Sequence, residues 1–412
     1  MPAIAKKLTN KNRIRLYIII ALVLAILAGY CLVVFTDMPE VNERTLVTKI
    51  GIDIEEDDVV VTAHILVATA GLMESEFRQD TSVVRGSSLF EALNRFYVAK
   101  GRKVEFGSCG LVVLGNEIAE QGILQPIKEL MATNLVSPGT LLVAAETTAH
   151  EFLETSVLLG ERTSENIAKF LTRFQETLAM PSLMMLTYLN GELGESGASF
   201  IPIVELRAQE DTQEERGGDN NDEEEEEGGE AEEADICCIQ KAAIFKGGVR
   251  VGTLNWEESM GLVLLKPESR RGVFESDSFS FNQQDFDPVF GSVRRKTVRT
   301  KTAFINGMPH MTITVDMDIE VITRHEIMFL TDTFQTSHTA LFDTIATAFS
   351  QKATEQIAAA LAASRQLDAD FLQLKYEFYR TQHANIIAYD LQETSNFLHD
   401  LTVEVVVNTR AK

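Results

Sequence analysis

The chain has 412 residues, with 61 acidic side chains against 37 basic ones and a formal charge of −24. A folded chain of that sign repels nucleic-acid phosphate, which excludes a nucleic-acid partner. Apolar residues at 45 % and aromatics at 8 % exclude a disordered chain and leave room for about two or three domains.

The first 15 residues are a basic tail carrying Lys6, Lys7, Lys11, Arg13 and Arg15. From Leu16 to Phe35 the chain runs without a charge, and at 1.5 Å per residue roughly 20 residues match the ~30 Å hydrocarbon layer. Asp37, Glu40 and Glu43 follow, so the positive-inside rule puts residues 1–15 in the cytoplasm and the body outside. A single-pass, uncleaved transmembrane helix over 16–35 is expected, since cleaved signals carry a shorter apolar run of ~7–15 residues. The rival reading is lipidation at Cys31, because Leu27, Ala28, Gly29 and Cys31 approximate a lipoprotein box interrupted by Tyr30.

Two β-branched runs over 45–67, separated by Glu55, Glu56, Asp57 and Asp58, read as a hairpin. Leu89, Phe90, Leu93, Phe96 and Tyr97 recur at helical spacing, as do Ile123, Leu124, Ile127, Leu130 and Met131. Short strands are expected at 110–114 and 140–145, and a helix over 150–158, which makes 45–158 an N-terminal α/β domain. The middle region, 159–208, reads as mainly helical. Ile167, Phe170, Leu171 and Phe174 share a face there, Pro181 opens a second helix, and an apolar segment at 200–206 closes the region. Residues 209–235 contain the unbroken run Glu223 to Glu227 between glycines and no aromatic residue. Such a segment has nothing to bury and is expected to be a disordered, solvated acidic linker.

Residues 236–412 read as a C-terminal α+β domain. Lys246, Gly247 and Gly248 turn one hairpin, and Asn306 with Gly307 turns another, because both turns need positive φ. After the second turn Met311, Ile313, Val315, Met317, Ile319 and Val321 alternate with Thr312, Thr314, Asp316, Asp318 and Glu320, an inward and an outward face of one strand. A long helix bearing Leu341, Phe342, Ile345, Phe349, Ile357 and Leu361 follows, then a helix near 371–379 and a last strand at 401–407. The fold class expected is α+β: an N-terminal transmembrane helix, mixed α/β domains, and a C-terminal, mostly antiparallel sheet packed by a long helix.

Chemistry is sparse. No phosphate-cradling glycine loop or G-x-S-x-G elbow occurs. His325 and Glu326 begin like H-E-x-x-H, but Phe329 stands where the second imidazole belongs. Asp316, Asp318 and Glu320 resemble a calcium loop without its bending glycine. Cys109, after Gly107 and Ser108, reads as a small buried hydrophobe, and the vicinal Cys237 and Cys238 as ordinary thiols. The four cysteines suit neither a disulfide framework nor a zinc site. No catalytic, cofactor-binding or metal residue is nominated, no cofactor is expected, and ligand-binding residues stay unassigned.

Five stretches, in order, resemble the C-subunit family of bacterial spore germinant receptors, the Ger(x)C family. They are IGIDIEEDDVVVTAHIL at 50–66, SLFEALNRF at 88–96, VEFGSCGLVVLGNEIAEQGI at 104–123, AAIFKGGVRVGTLNWEESMGLVLL at 242–265, and ADFLQLKYEFYR at 369–380 leading into LTVEVVVNTR. The family usually opens with a lipidated cysteine and a tryptophan-aspartate pair, where this chain has a displaced Cys31 and TDMPEVNERTL. The resemblance implies three mixed α/β domains, no enzymatic activity, and a membrane-anchored, extracytoplasmic subunit that takes part in germination beside multi-spanning receptor subunits in the spore inner membrane. The alternatives are a free-standing, membrane-anchored solute-binding or sensor protein of the envelope, marked by a pocket of convergent polar groups, and an envelope enzyme.

Overall fold

The computed structural model describes residues 17–29, 44–56, 58–69, 76–100, 103–158, 183–207, 236–267, 269, 271–281, 283–322, 338–392 and 395–412. Residues 17–29 form helix α1, exposed along its length. Thirteen residues at 1.5 Å rise reach only ~20 Å, and among the described residues no helix is long and apolar enough to cross a membrane. The expected span 16–35 is thus described over 17–29 alone. Cys31, the basic tail and the acidic segment lie outside the described residues.

Strands β1 (Arg44–Glu55) and β2 (Asp58–Thr69) make the expected hairpin, turning at Glu56 with φ of 51°. A third antiparallel strand, β3 (Glu76–Gly86), pairs on β2 at the edge of the sheet. Its residues EFRQDTSVVRG hold too few apolar side chains to show a period in sequence, which is what an edge strand tolerates. Then come α2 (Leu89–Lys100), β4 (Lys103–Glu105), β5 (Leu111–Leu114), α3 (Asn116–Gln121), α4 (Leu124–Ala132), β6 (Leu141–Ala145) and α5 (Ala149–Leu158). Every residue of β5 and β6 is buried, as parallel strands covered on both faces must be. Gly51 lies under α5, where a Cβ would come within 2.9 Å of Leu153 Cδ1. The opposite face is left to α2 and α4.

In the described part of the middle region, 183–207, the second helix starts later than expected. This part carries β7 (Leu183–Met184), α6 (Met185–Leu193) and β8 (Ala198–Arg207). Leu183 pairs with Leu142 of β6, so the backbone lies in the sheet immediately before α6, and that helix opens at Met185 rather than at Pro181. Pro181 and the face from Ile167 to Phe174 fall outside the described residues.

Strands β9 (Ile236–Lys246) and β10 (Val249–Leu254) turn at Gly247 and Gly248, with φ of 65° and 84°. They were expected within the C-terminal region, yet β9 pairs with β8 from Ala198↔Lys246 to Arg207↔Ile236. The resulting ten-stranded sheet has the order β10-β9-β8-β6-β5-β1-β2-β3, with β4 beside β1 and β7 beside β6.

Helix α7 (Trp256–Leu265) opens with a capping box between Asn255 and Glu258. A second, four-stranded sheet follows. It takes β11 (Gly272–Glu275), β14 (Phe290–Ile305), β15 (Met308–Val321) and β16 (Thr402–Ala411) in that order, after the small hairpin β12 (Phe279–Phe281) and β13 (Gln284–Phe286). Only the β15–β16 pairing is parallel, because α8 (His338–Gln366), α9 (Leu374–Thr381), α10 (His383–Asp390) and α11 (Phe397–Asp400) carry the chain back across it. Asn306 and Gly307 turn the β14–β15 hairpin at φ of 55° and 80°. Alternate residues of β15 are buried against α8, whose Phe349 is 0 % exposed. Lys296, buried on β14, donates to the carbonyls of Val263, Leu264 and Lys266 at 2.6, 3.0 and 2.8 Å. It thereby closes the C-terminus of α7 and ties the two sheets together.

Candidate functional site

In open α/β sheets, ligands gather outside the carboxyl ends of strands whose connections leave on opposite faces. Here β5 runs into α3 and α4 on one face, and β6 into α5 on the other. Asp53, near the end of β1, holds this junction: its carboxylate accepts the Ala149 and His150 N–H groups at 2.7 and 2.9 Å, the open donors at the start of α5. Burial pushes the carboxyl up, and the two N–H bonds oppose that shift. Gly115 is the residue the site demands, since a Cβ there would stand 1.9 Å from Asp53 Oδ1.

Beside it opens a crevice of about 420 Å³ lined by Asn116, Glu146, Lys241 and Arg250 among others. Lys241 on β9 lies 2.8 Å from Glu146 and 2.8 Å from the buried Glu205 of β8. Hydrogen bonds to Glu146 and then Glu205 raise the ammonium above its ordinary value, which keeps it charged rather than available as a base. Arg250 reaches Asn116 Oδ1 at 2.7 Å and Glu120 at 2.5 Å. The crevice is polar, but Lys241 and Arg250 are both engaged by carboxylates of the chain itself.

A second arrangement escaped the sequence reading. Thr62 Oγ1 lies 3.3 Å from His150 Nδ1, and His150 Nε2 lies 3.4 Å from Glu154. The order hydroxyl, imidazole, carboxylate matches a nucleophile relay. Thr62, however, is 0 % exposed under α5, so no substrate reaches the hydroxyl. His64 beside it is pushed down to about 4 by burial, then by the Lys49 ammonium and His150, and is a neutral core imidazole. The i,i+4 spacing of His150 and Glu154 was visible in sequence; their meeting with Thr62 needed the β1–β2 register and the placement of α5.

The residues singled out earlier scatter. Cys109 is buried, its thiol donates to the Leu111 carbonyl at 3.4 Å, and burial pushes it up to about 12, so it is an inert hydrophobe. Cys237 and Cys238 lie on β9, paired with Leu206 and Glu205. Asp316, Asp318 and Glu320 stand on the outward face of β15, each opposed by a residue of β14. His325 and Glu326 lie outside the described residues. Among the described residues no group of three or more His, Cys, Asp or Glu side chains is placed to hold a metal.

Two family models match the chain. One, described as the spore germination protein N-terminal domain, matches residues 37–206. The other, described as spore germination B3/GerAC like, C-terminal, matches residues 240–412. No curated protein matches in sequence. Among solved structures, the crystal structure of the GerBC protein aligns over 88 % of this chain and 96 % of that one, with a TM-score of 0.52 and 12 % identity, a likeness of fold.

Proposed function

The chain belongs to the C-subunit family of spore germinant receptors, and from that premise we propose that it serves germination as a non-catalytic, membrane-anchored subunit that works by docking. The observation that carries this reading is the pair of family models in order along the chain, leaving only 1–36 and 207–239 unmatched. The polar crevice supports it, because Lys241 and Arg250 are engaged within the chain and the buried Thr62 relay has no access.

In the proposed arrangement the apolar run 16–35 anchors the chain, residues 1–15 stay in the cytoplasm, and the body meets multi-spanning receptor subunits outside. The proposed units are 45–158, a middle region to 208, an acidic linker at 209–235, and a C-terminal part to residue 412. The anchor is uncleaved and unlipidated. Intact-mass measurement of the membrane form is expected to return the full N-terminus, and a mass showing cleavage before Cys31 with added acyl chains would overturn it.

The test of docking against turnover is a germination assay in a host lacking its own copy. Alanine at Asn116, Glu146 or Lys241 is expected to leave germination intact at normal abundance. Loss of germination from one of these, with abundance and partner association unchanged, would establish a ligand or chemical site in the crevice and favour the solute-binding alternative.

A further inference from the structure

The outer face of the four-stranded sheet carries more than a solvated face needs. Register puts Arg295 of β14, Asp318 of β15 and Arg410 of β16 in one cross-strand row, at a cleft of about 460 Å³. In the next row Asp316 is taken: Asn408 donates to it at 2.9 Å, and Arg299 pairs with it. Among the described residues neither Arg295 nor Arg410 has an ion-pair partner, although the chain as a whole is strongly acidic.

The same face is apolar at its ends. Among the described residues beyond 29, six of the eighteen exposed large hydrophobic side chains stand here. Val273, Phe290 and Ile322 are 58, 43 and 52 % exposed at one end, Val406 lies in the middle, and Ile305 with Met308 occupies the hairpin tip. Their side of the sheet follows from alternation, since Phe274, Gly291 and Val321 face α8, and Gly291 has no room for a Cβ beside Phe349. Fourteen residues of strand across three strands give about 45 Å by 15 Å, roughly 700 Å², close to the ~800 Å² each side of a stable interface contributes.

We propose that this face docks a partner protein whose matching patch carries acidic residues flanked by apolar ones. Its carboxylates are received by Arg295 and Arg410, and its apolar side chains by Val273, Phe290 and Ile322. Arginine with exposed aromatic and aliphatic residues is the composition of protein interfaces. Lipid-surface patches carry basic charge of one sign, whereas Asp316 and Asp318 sit among these arginines. A second copy would bring the unpaired arginines against a face of the same kind. The proposal rests on the reading of the chain as one subunit of an assembly.

The test uses the full chain in its native membrane, with a photoreactive residue in place of Thr297 and, in a separate strain, in place of Leu391, an exposed residue of the helical segment. The expected result is a protein adduct from position 297 whose crosslinked peptide is acidic. In the double variant Arg295→Glu, Arg410→Glu the adduct falls about tenfold or more, equivalent to ~1.4 kcal/mol. It returns when an acidic residue at the mapped site is replaced by lysine. An unchanged thermal midpoint in the double variant excludes misfolding, the outcome expected of exposed side chains. An adduct with lipid, with a second copy, or only from position 391 overturns the proposal while leaving the assembly reading standing. No adduct from either position, with no co-purifying subunit, overturns both.

Discussion

Asp370 is the buried carboxyl with the clearest consequence. Its oxygens accept the Leu374 and Lys375 N–H groups at 2.8 Å each, which caps the start of α9, where Gln373 takes a left-handed φ of 61°. Burial dominates, and those two bonds, with Ser196 and the Lys266 charge, only partly oppose it, so the carboxyl is pushed up from 3.8 to about 6. A carboxyl raised on folding holds its proton more tightly in the folded chain. Its stabilising contribution is fully present below about 3.8 and is lost as pH rises through about 6. Between pH 7 and pH 4 the folded state therefore gains on the order of 2–3 kcal/mol from this group, at ~1.4 kcal/mol per pKa unit. Denaturant midpoints measured across that window should show a flatter pH dependence in Asp370→Asn than in the parent. Equal slopes would refute the assignment.

Among the elements, α8 matters most to the second sheet. Its Phe349 sits over Gly291 and Ile319, where a Cβ on Gly291 would meet Phe349 Cζ at 2.8 Å and Ile319 Cγ2 at 2.3 Å. Glycine is needed here for close approach, not for a turn. Phe349 also packs against Phe274 of the edge strand β11, ring centroids 5.9 Å apart and tilted by 31°. Phe349→Ala removes a fully buried ring and should cost ~3–5 kcal/mol, because the stiff sheet cannot collapse into the void. Thermal unfolding would read this as a marked drop in midpoint together with loss of protein from the membrane fraction. A shift within the range of surface changes would mean that the helix packs less tightly than its burial implies.

For the whole molecule, the acidic segment leaves from the end of β8 and returns at the start of β9, whose terminal residues Arg207 and Ile236 are paired. The two ends are thus already held by the sheet. Replacing 209–234 by a short turn shortens the closed loop, and each halving lowers the closure cost by about 0.6 kcal/mol while removing like charges. The expected thermal midpoint is unchanged or slightly raised. A clear fall would show that the acidic run packs on the fold or binds an ion that contributes to it.

Period and turn chemistry were enough to read much of this chain from its residues. The alternation from Met311 to Val321, the Asn306-Gly307 turn and the stripe from Leu341 to Leu361 are local signals, legible because a half-buried strand or helix repeats on its own period. Nothing local marks β3, whose polar residues suit an edge. Nor does anything local say that 236–254 completes the large sheet, or that 183–184 pairs in it just ahead of the helix from Met185. Those choices depend on which distant strand offers its free N–H and C=O groups, and sequence spacing does not carry that information. The same holds for the sites. The acidic charge and the missing motifs argued against nucleic acid, nucleotide loops and a nucleophile elbow. Tertiary structure alone brought Thr62 to His150, Lys241 between Glu146 and Glu205, and Arg295 into one row with Arg410, because each meeting is set by strand register across residues far apart in the chain.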